Sequence, residues 1–134
     1  MILTFIFLAL AAACNAVMDT SVQHYNTSIF PKFNNQNWWD GSTSWLNKYV
    51  DRDPNKGIRM WFWIIPYPVQ LTDAFHFFKT LMIIFVCLSI MSYDNTIIQK
   101  YLNDVWYSCV IVIILFGSVW NLTFSLFYNH FLSK

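Results

Sequence analysis

The stretch VWYSCVIVIILFGSVWNLTFSLFYNHFLS, residues 105–133, carries no Asp, Glu, Lys or Arg. A helix rises 1.5 Å per residue, so about 20 apolar residues cross a hydrocarbon core of roughly 30 Å. Trp106 with Tyr107 and then Tyr128 bracket this run, about 33 Å apart along a helix. Aromatic side chains favour the two membrane–water boundaries, which makes this the best ruler in the chain. Residues 80–93 (TLMIIFVCLSIMSY) are a second uncharged run, and the apolar pattern extends back to Thr72. Pro66 and Pro68 bar a helix just before it, and Thr72 suits an N-cap. Asp73 to Tyr93 then covers about 30 Å.

Residues 1–18 (MILTFIFLALAAACNAVM) are the third uncharged run. They read either as a helix that stays or as a signal peptide, with Ala11-Ala12-Ala13-Cys14 as a faint lipoprotein-type box. Signal peptides carry a basic residue ahead of the apolar run, and none is present here, so a membrane helix is expected. The expected fold is an all-α membrane protein of three transmembrane helices with a Trp-rich interfacial loop between the first two. The 134 residues form one membrane domain: a helix over about 2–25, a loop over about 26–70, and helices over about 72–93 and 105–129.

Composition agrees. Hydrophobic residues make up 57% of the chain and charged residues 11%, against roughly 45–50% and 25% in soluble domains. Too little charge remains to coat a soluble surface, which disfavours a soluble enzyme, a disordered tail or a nucleic-acid module. With 8 Lys+Arg against 7 Asp+Glu, no net field draws polyanions, so no nucleic-acid partner is expected. Cys14, Cys87 and Cys109 all sit in apolar stretches without paired spacing and read as packing residues rather than a disulfide framework.

The large loop holds Lys32, Lys48, Arg52, Lys56 and Arg59, whereas the short loop 94–104 holds Lys100 and the tail Lys134. The positive-inside rule then places the large loop and the C-terminus in the cytoplasm and the N-terminus outside. Within the loop, Trp38, Trp39, Trp45, Trp61 and Trp63 suit a segment lying along the headgroup layer, with residues 61–68 (WFWIIPYP) apolar and broken by proline. Residues 51–57 (DRDPNKG) read as an exposed turn.

Alternating spans bring the end of helix 1, the start of helix 2 and the end of helix 3 to one side. Asp19, His24, Asp73, His76, Lys79 and His130 fall in that layer. Asp73 and His76, at i and i+3, neighbour each other on a helix, and Asn15, Asp19 and Gln23 form a polar stripe at i, i+4 and i+8. Ionisable groups at membrane depth are costly and tend to face a bundle interior or a water cavity. A carboxylate beside an imidazole orients it as a general base, which makes Asp73 and His76, supported by Asp19, the candidate catalytic group. Asp19, His24, Asp73 and His76 also have the donor chemistry for a divalent metal such as Zn, Mn or Fe. Lys79 could meet a lipid phosphate or snorkel to water. Simpler readings stand beside these. An Asp at a helix N-terminus is favourable through the dipole alone, and Asn15 and Asp19 would serve as interhelical glue. No H-E-x-x-H, G-x-S-x-G or phosphate-cradling Gly-rich loop is present.

The segments CNAVMDT (14–20) with His24 after it, SWLNKY (44–49) and LTDAFHFFK (71–79) together resemble a group of small membrane proteins of Bacteroidetes and the phages that infect them. The resemblance covers roughly residues 10–90, with Phe75 where members often carry Trp. That group has no established activity. The resemblance implies a bacterial inner-membrane location and one cluster of Asn15, Asp19, Asn47, Lys48, Asp73 and His76.

Three functions compete. The leading expectation is an interaction or envelope-structural role, with the lipid bilayer and a second copy or another membrane protein as partners. The second is a metal-dependent or acid–base enzyme acting on a lipid or lipid-linked substrate at the membrane interface. The third is a holin-like pore former, disfavoured by the long Trp-rich loop.

Overall fold

A computed structural model describes residues 1–94 and 105–133. Lys100 and Lys134 lie outside the described residues, as does the side chain of Trp106, one end of the aromatic ruler. Three helices are long and apolar enough to cross a membrane. They are α1 (Ile2–Gln23), α3 (Ala74–Met91) and α4 (Val105–Leu126), the last extended by a π-helical turn, Phe127–Phe131. A single turn, α2 (Gln36–Trp39), lies in the long connection between α1 and α3.

Helix α1 packs against both of the others. Its Ala11, Ala12 and Ala16 are fully buried, and such small side chains let helix backbones approach closely. Near its start, Thr4 Oγ1 donates to the Ser92 carbonyl at 2.9 Å, and Ser89 Oγ donates to the Thr4 carbonyl at 3.0 Å. These bonds join the start of α1 to the end of α3, so the two run antiparallel. Phe7 stacks on Phe85, and Phe5 meets Phe116 of α4 edge-on. At the opposite end, His24 packs edge-on against Tyr128 at 5.5 Å, and the Ile29 N–H donates to the Leu132 carbonyl at 3.0 Å. The end of α1, the start of α3 and the end of α4 therefore share one end of the bundle. A small core of Ala16, Phe30 and Leu132 sits there, with Trp39, Phe124 and Tyr128 packed around it.

The start of α3 differs from expectation by one residue. Asp73, not Thr72, is the N-cap: its backbone is extended and its carboxylate accepts the His76 N–H at 2.9 Å. A carboxylate is the better cap, and the Thr72 hydroxyl donates to it at 2.7 Å.

The connection folds mostly as short 3-10 turns. Trp38 and Trp39 pack on Phe77 and Phe78 of α3, and Trp39 stacks on Phe30 at 4.8 Å. These two indoles are thus tied to the helical bundle. The apolar segment 61–68 holds regular structure in place of an irregular stretch. Strands β1 (Met60–Trp61) and β2 (Ile65–Pro66) pair antiparallel, which exposes Phe62, Trp63 and Ile64 at the tip. The turn expected over 51–57 is present, closed by an ion pair between Lys56 and Asp51 at 2.9 Å.

Candidate functional site

The site is built on the first turn of α3. Asp73 is 2% exposed. Its Oδ1 lies 2.9 Å and its Oδ2 2.8 Å from His76 Nδ1, while Oδ1 also takes the His76 N–H. The i, i+3 spacing puts the imidazole directly over the cap, so one carboxylate both closes the helix and fixes the ring. A carboxylate accepts, so Nδ1 carries the hydrogen and Nε2 is left as the basic nitrogen. Asp73 and His76 line a cavity of about 240 Å³ with Gly41, Ser44, Trp45, Val22 and Phe75. Ser44 is buried and lines the same cavity as the dyad.

Two loop residues hold that wall in place. Asn47 Nδ2 donates at 2.8 Å both to the Asn37 carbonyl and to the Thr72 carbonyl. The Gly41 N–H donates to the Ser21 carbonyl of α1 at 3.1 Å. A side chain at Gly41 would sit 2.8 Å from that same oxygen, so only glycine permits the approach.

The other candidates fall elsewhere. Asp19 and Asn15 are half-buried on α1 and make no side-chain hydrogen bond or ion pair among the described residues. The expected support from Asp19 is therefore missing from the dyad. His24 lines a separate cavity with Thr20 and Tyr128. Among the described residues, no group of three or more His, Cys, Asp or Glu side chains is placed to hold a metal ion. Of the four residues considered as metal ligands, the structure pairs only Asp73 with His76. Lys48 lies over the rings of Trp45 and Tyr49, at 5.8 and 5.0 Å, which are cation–π distances. Lys79 is exposed and sits 5.8 Å from the Phe75 ring. The sequence reading missed Ser44, Gly41 and Thr72 as parts of the site. Asp40-Gly41 was a legible turn signal, and Asp40 Oδ1 does accept the Ser42 N–H at 3.0 Å.

Among the described residues the chain thus has three apolar helices of spanning length and a carboxylate–imidazole dyad at the end where α3 begins. Compared with known protein families, with curated proteins and with solved structures, it matches none.

Proposed function

We propose that this protein is a multi-pass membrane protein whose Asp73–His76 dyad carries out acid–base chemistry on a lipid or lipid-linked substrate at the membrane interface. The observation behind this reading is the buried Asp73 carboxylate, which has both oxygens within hydrogen-bond distance of His76 Nδ1 beside an open cavity. Such a pair holds the imidazole in the tautomer that accepts a proton at Nε2, and the carboxylate steadies the imidazolium that results. The acceptor of chemistry would be a substrate bond presented at headgroup depth. Water or the Ser44 hydroxyl would attack the ester or phosphoester centre while His76 Nε2 takes its proton, and the imidazolium would give that proton to the departing alcohol as its bond to the centre breaks. On the Ser44 route, water would then release the enzyme-bound group by the same transfers. Lys48, Arg52 and Arg59 in the connecting loop support a cytoplasmic position for that face by the positive-inside rule, with the N-terminus outside.

The test is hydrolysis of a bacterial polar-lipid extract by the purified protein, followed by mass spectrometry of released headgroups and acyl chains. His76→Gln should abolish product formation with the fold intact, and Ser44→Ala separates direct water attack from a covalent route. Equal turnover by His76→Gln and parent would sink the reading.

A second reading, an interaction or envelope-structural role, is favoured by α4. Ile113 and Leu122 on that helix are over two-thirds exposed, a surface available to lipid or to another helix. A cross-linked homo-oligomer or a co-purifying membrane protein, with no product from lipid, would favour it. Growth arrest with depolarisation on expression would instead favour a pore.

A further inference from the structure

On the other side of the Thr72–Asp73 step lies a larger cavity, of about 550 Å³. Thr72 lines this cavity and Asp73 lines the smaller one. Volumes of this size hold a small ligand or a lipid headgroup. Two arginines, Arg52 and Arg59, share its lining. Like charges brought together in one hollow repel unless something negative lies between them. Neither arginine makes an ion pair among the described residues. The one carboxylate on the lining, Asp51, is already paired with Lys56 at 2.9 Å.

Both arginines are held in position by other contacts. Arg52 Nη2 donates to the Thr43 carbonyl at 3.0 Å, which uses one of its five N–H groups. The Arg59 guanidinium carbon lies over the Tyr67 ring, 4.8 Å from its centroid, a cation–π distance. The segments bearing them are joined by backbone bonds: Arg59 N–H to the Lys48 carbonyl at 2.8 Å and Val50 N–H to the Gly57 carbonyl at 3.1 Å. Asn47, which pins this wall to Thr72, also lines the cavity.

We infer that this cavity is a binding site for a phosphate-bearing headgroup, with Arg52 and Arg59 as the paired anion ligands. Planar guanidinium forks match phosphate oxygens in two-point geometry, which neutral donors and lysines do not. The cavity opens where the apolar helix α3 begins, at the depth where a lipid phosphate would lie. Tyr49, Tyr67, Asn35 and Asn37 on the lining add donors for the hydroxyls of a glycerol or sugar headgroup. This site goes beyond the acid–base reading and stands without it, because binding needs no proton transfer at His76.

The experiment follows tryptophan fluorescence of the detergent-purified full chain, since Trp38 lines the cavity. The probes are dihexanoyl phosphatidylglycerol, glycerol 1-phosphate and uncharged dihexanoylglycerol. Saturable binding of the phosphatidylglycerol, absent with dihexanoylglycerol, is expected. Arg52→Gln with Arg59→Gln should weaken it at least about tenfold, because charge-assisted hydrogen bonds to both arginines are lost. Arg59→Lys keeps the charge and removes only the fork, so a smaller loss is expected in a chain whose fold circular dichroism shows to be intact. His76→Gln should bind like the parent; that result with no turnover separates the two readings. Equal binding of glycerol 1-phosphate would assign the site to soluble phosphoesters, and tighter lipid binding would assign it to headgroups. Unchanged affinity in the folded double variant, or no binding of either phosphate probe, would overturn the inference.

Discussion

The side-chain amide of Asn47 donates a hydrogen bond to the Thr72 carbonyl at 2.8 Å, across 25 residues of sequence. The same nitrogen donates to the Asn37 carbonyl at 2.8 Å, so both amide hydrogens face backbone oxygens. This one side chain ties the turn carrying Ser44 to the residue before the α3 cap. Asn47→Asp replaces two donors with acceptors against two carbonyls, whereas Asn47→Ala merely removes them. Losing one buried bond typically costs about 1 kcal/mol, with a larger cost where a partner stays unsatisfied. Asn47→Asp should therefore melt below Asn47→Ala, and both below the parent, in detergent thermal scans. Equal melting of all three would show that the loop is held by packing alone.

Gly41 supplies the second tie. A Cβ there would lie 2.8 Å from the Ser21 carbonyl oxygen and 2.9 Å from Val22 Cα, and both are backbone atoms of α1 that cannot rotate away. Gly41→Ala must push the loop off the helix end, at a cost of about 1–3 kcal/mol for overpacking. The apparent melting point should fall by several degrees, and Ser44 should become more accessible in hydrogen exchange at its amide. An unchanged melting point and exchange rate would mean that the loop has slack at this contact.

The three apolar helices were legible because uncharged runs of spanning length have few other uses. Their shared end followed from simple alternation, and the Asp73–His76 pairing from i, i+3 spacing. Layer membership, however, sets a residue's height and leaves its direction around the bundle open. That is why Asp19 and His24 sit at the right level without joining the dyad. The Thr4–Ser89–Ser92 bonds were not legible, since which small polar residue meets which depends on helix rotation. Residues 61–68 were ambiguous because a short apolar run fits strand, helix or loop equally. Arg52 and Arg59 line one cavity through backbone pairing on either side of the 51–57 turn; the turn was legible, but not the cavity it helps to line.

Tyr25 predicts a pH effect. Its hydroxyl is buried without a hydrogen-bond partner among the described residues, in contact with the Ala16, Phe30 and Leu132 core. Burial pushes its pKa above the ordinary 10.0, and the Asp40 charge adds to the rise. The folded chain then keeps a proton that the unfolded chain loses above pH 10, so stability falls as the pH climbs past that value. Tyr25→Phe removes the unpaired hydroxyl and this dependence together. The variant should melt at or above the parent near pH 7, and its advantage should widen between about pH 9 and pH 11. A variant that loses stability at neutral pH would show that the hydroxyl has a partner in solution.

The hairpin tip makes the last prediction. Phe62 and Trp63 adopt left-handed backbone, with φ of 52° and 65°. Bulky residues there are strained by roughly 1–2 kcal/mol each, and turns of this kind ordinarily take Gly or Asn. Phe62 stacks on Trp61, but burial within the protein offsets little of that cost, because Trp63 is 95% exposed and Phe62 72%. Burial of an aromatic side chain in lipid offers about 1.5–3 kcal/mol, enough to offset the strain. The hairpin follows a loop with cations on both sides of its turn and leads within a few residues into α3, which would keep its tip near the bilayer surface. Trp63 should therefore insert into the lipid boundary. In bilayers, the parent should show a blue-shifted emission component that brominated acyl chains quench and that Trp63→Phe removes. The same substitution in detergent-free bilayers would remove a red-shifted, unquenched component if the tip instead faces water, and the strained turn would then need another partner.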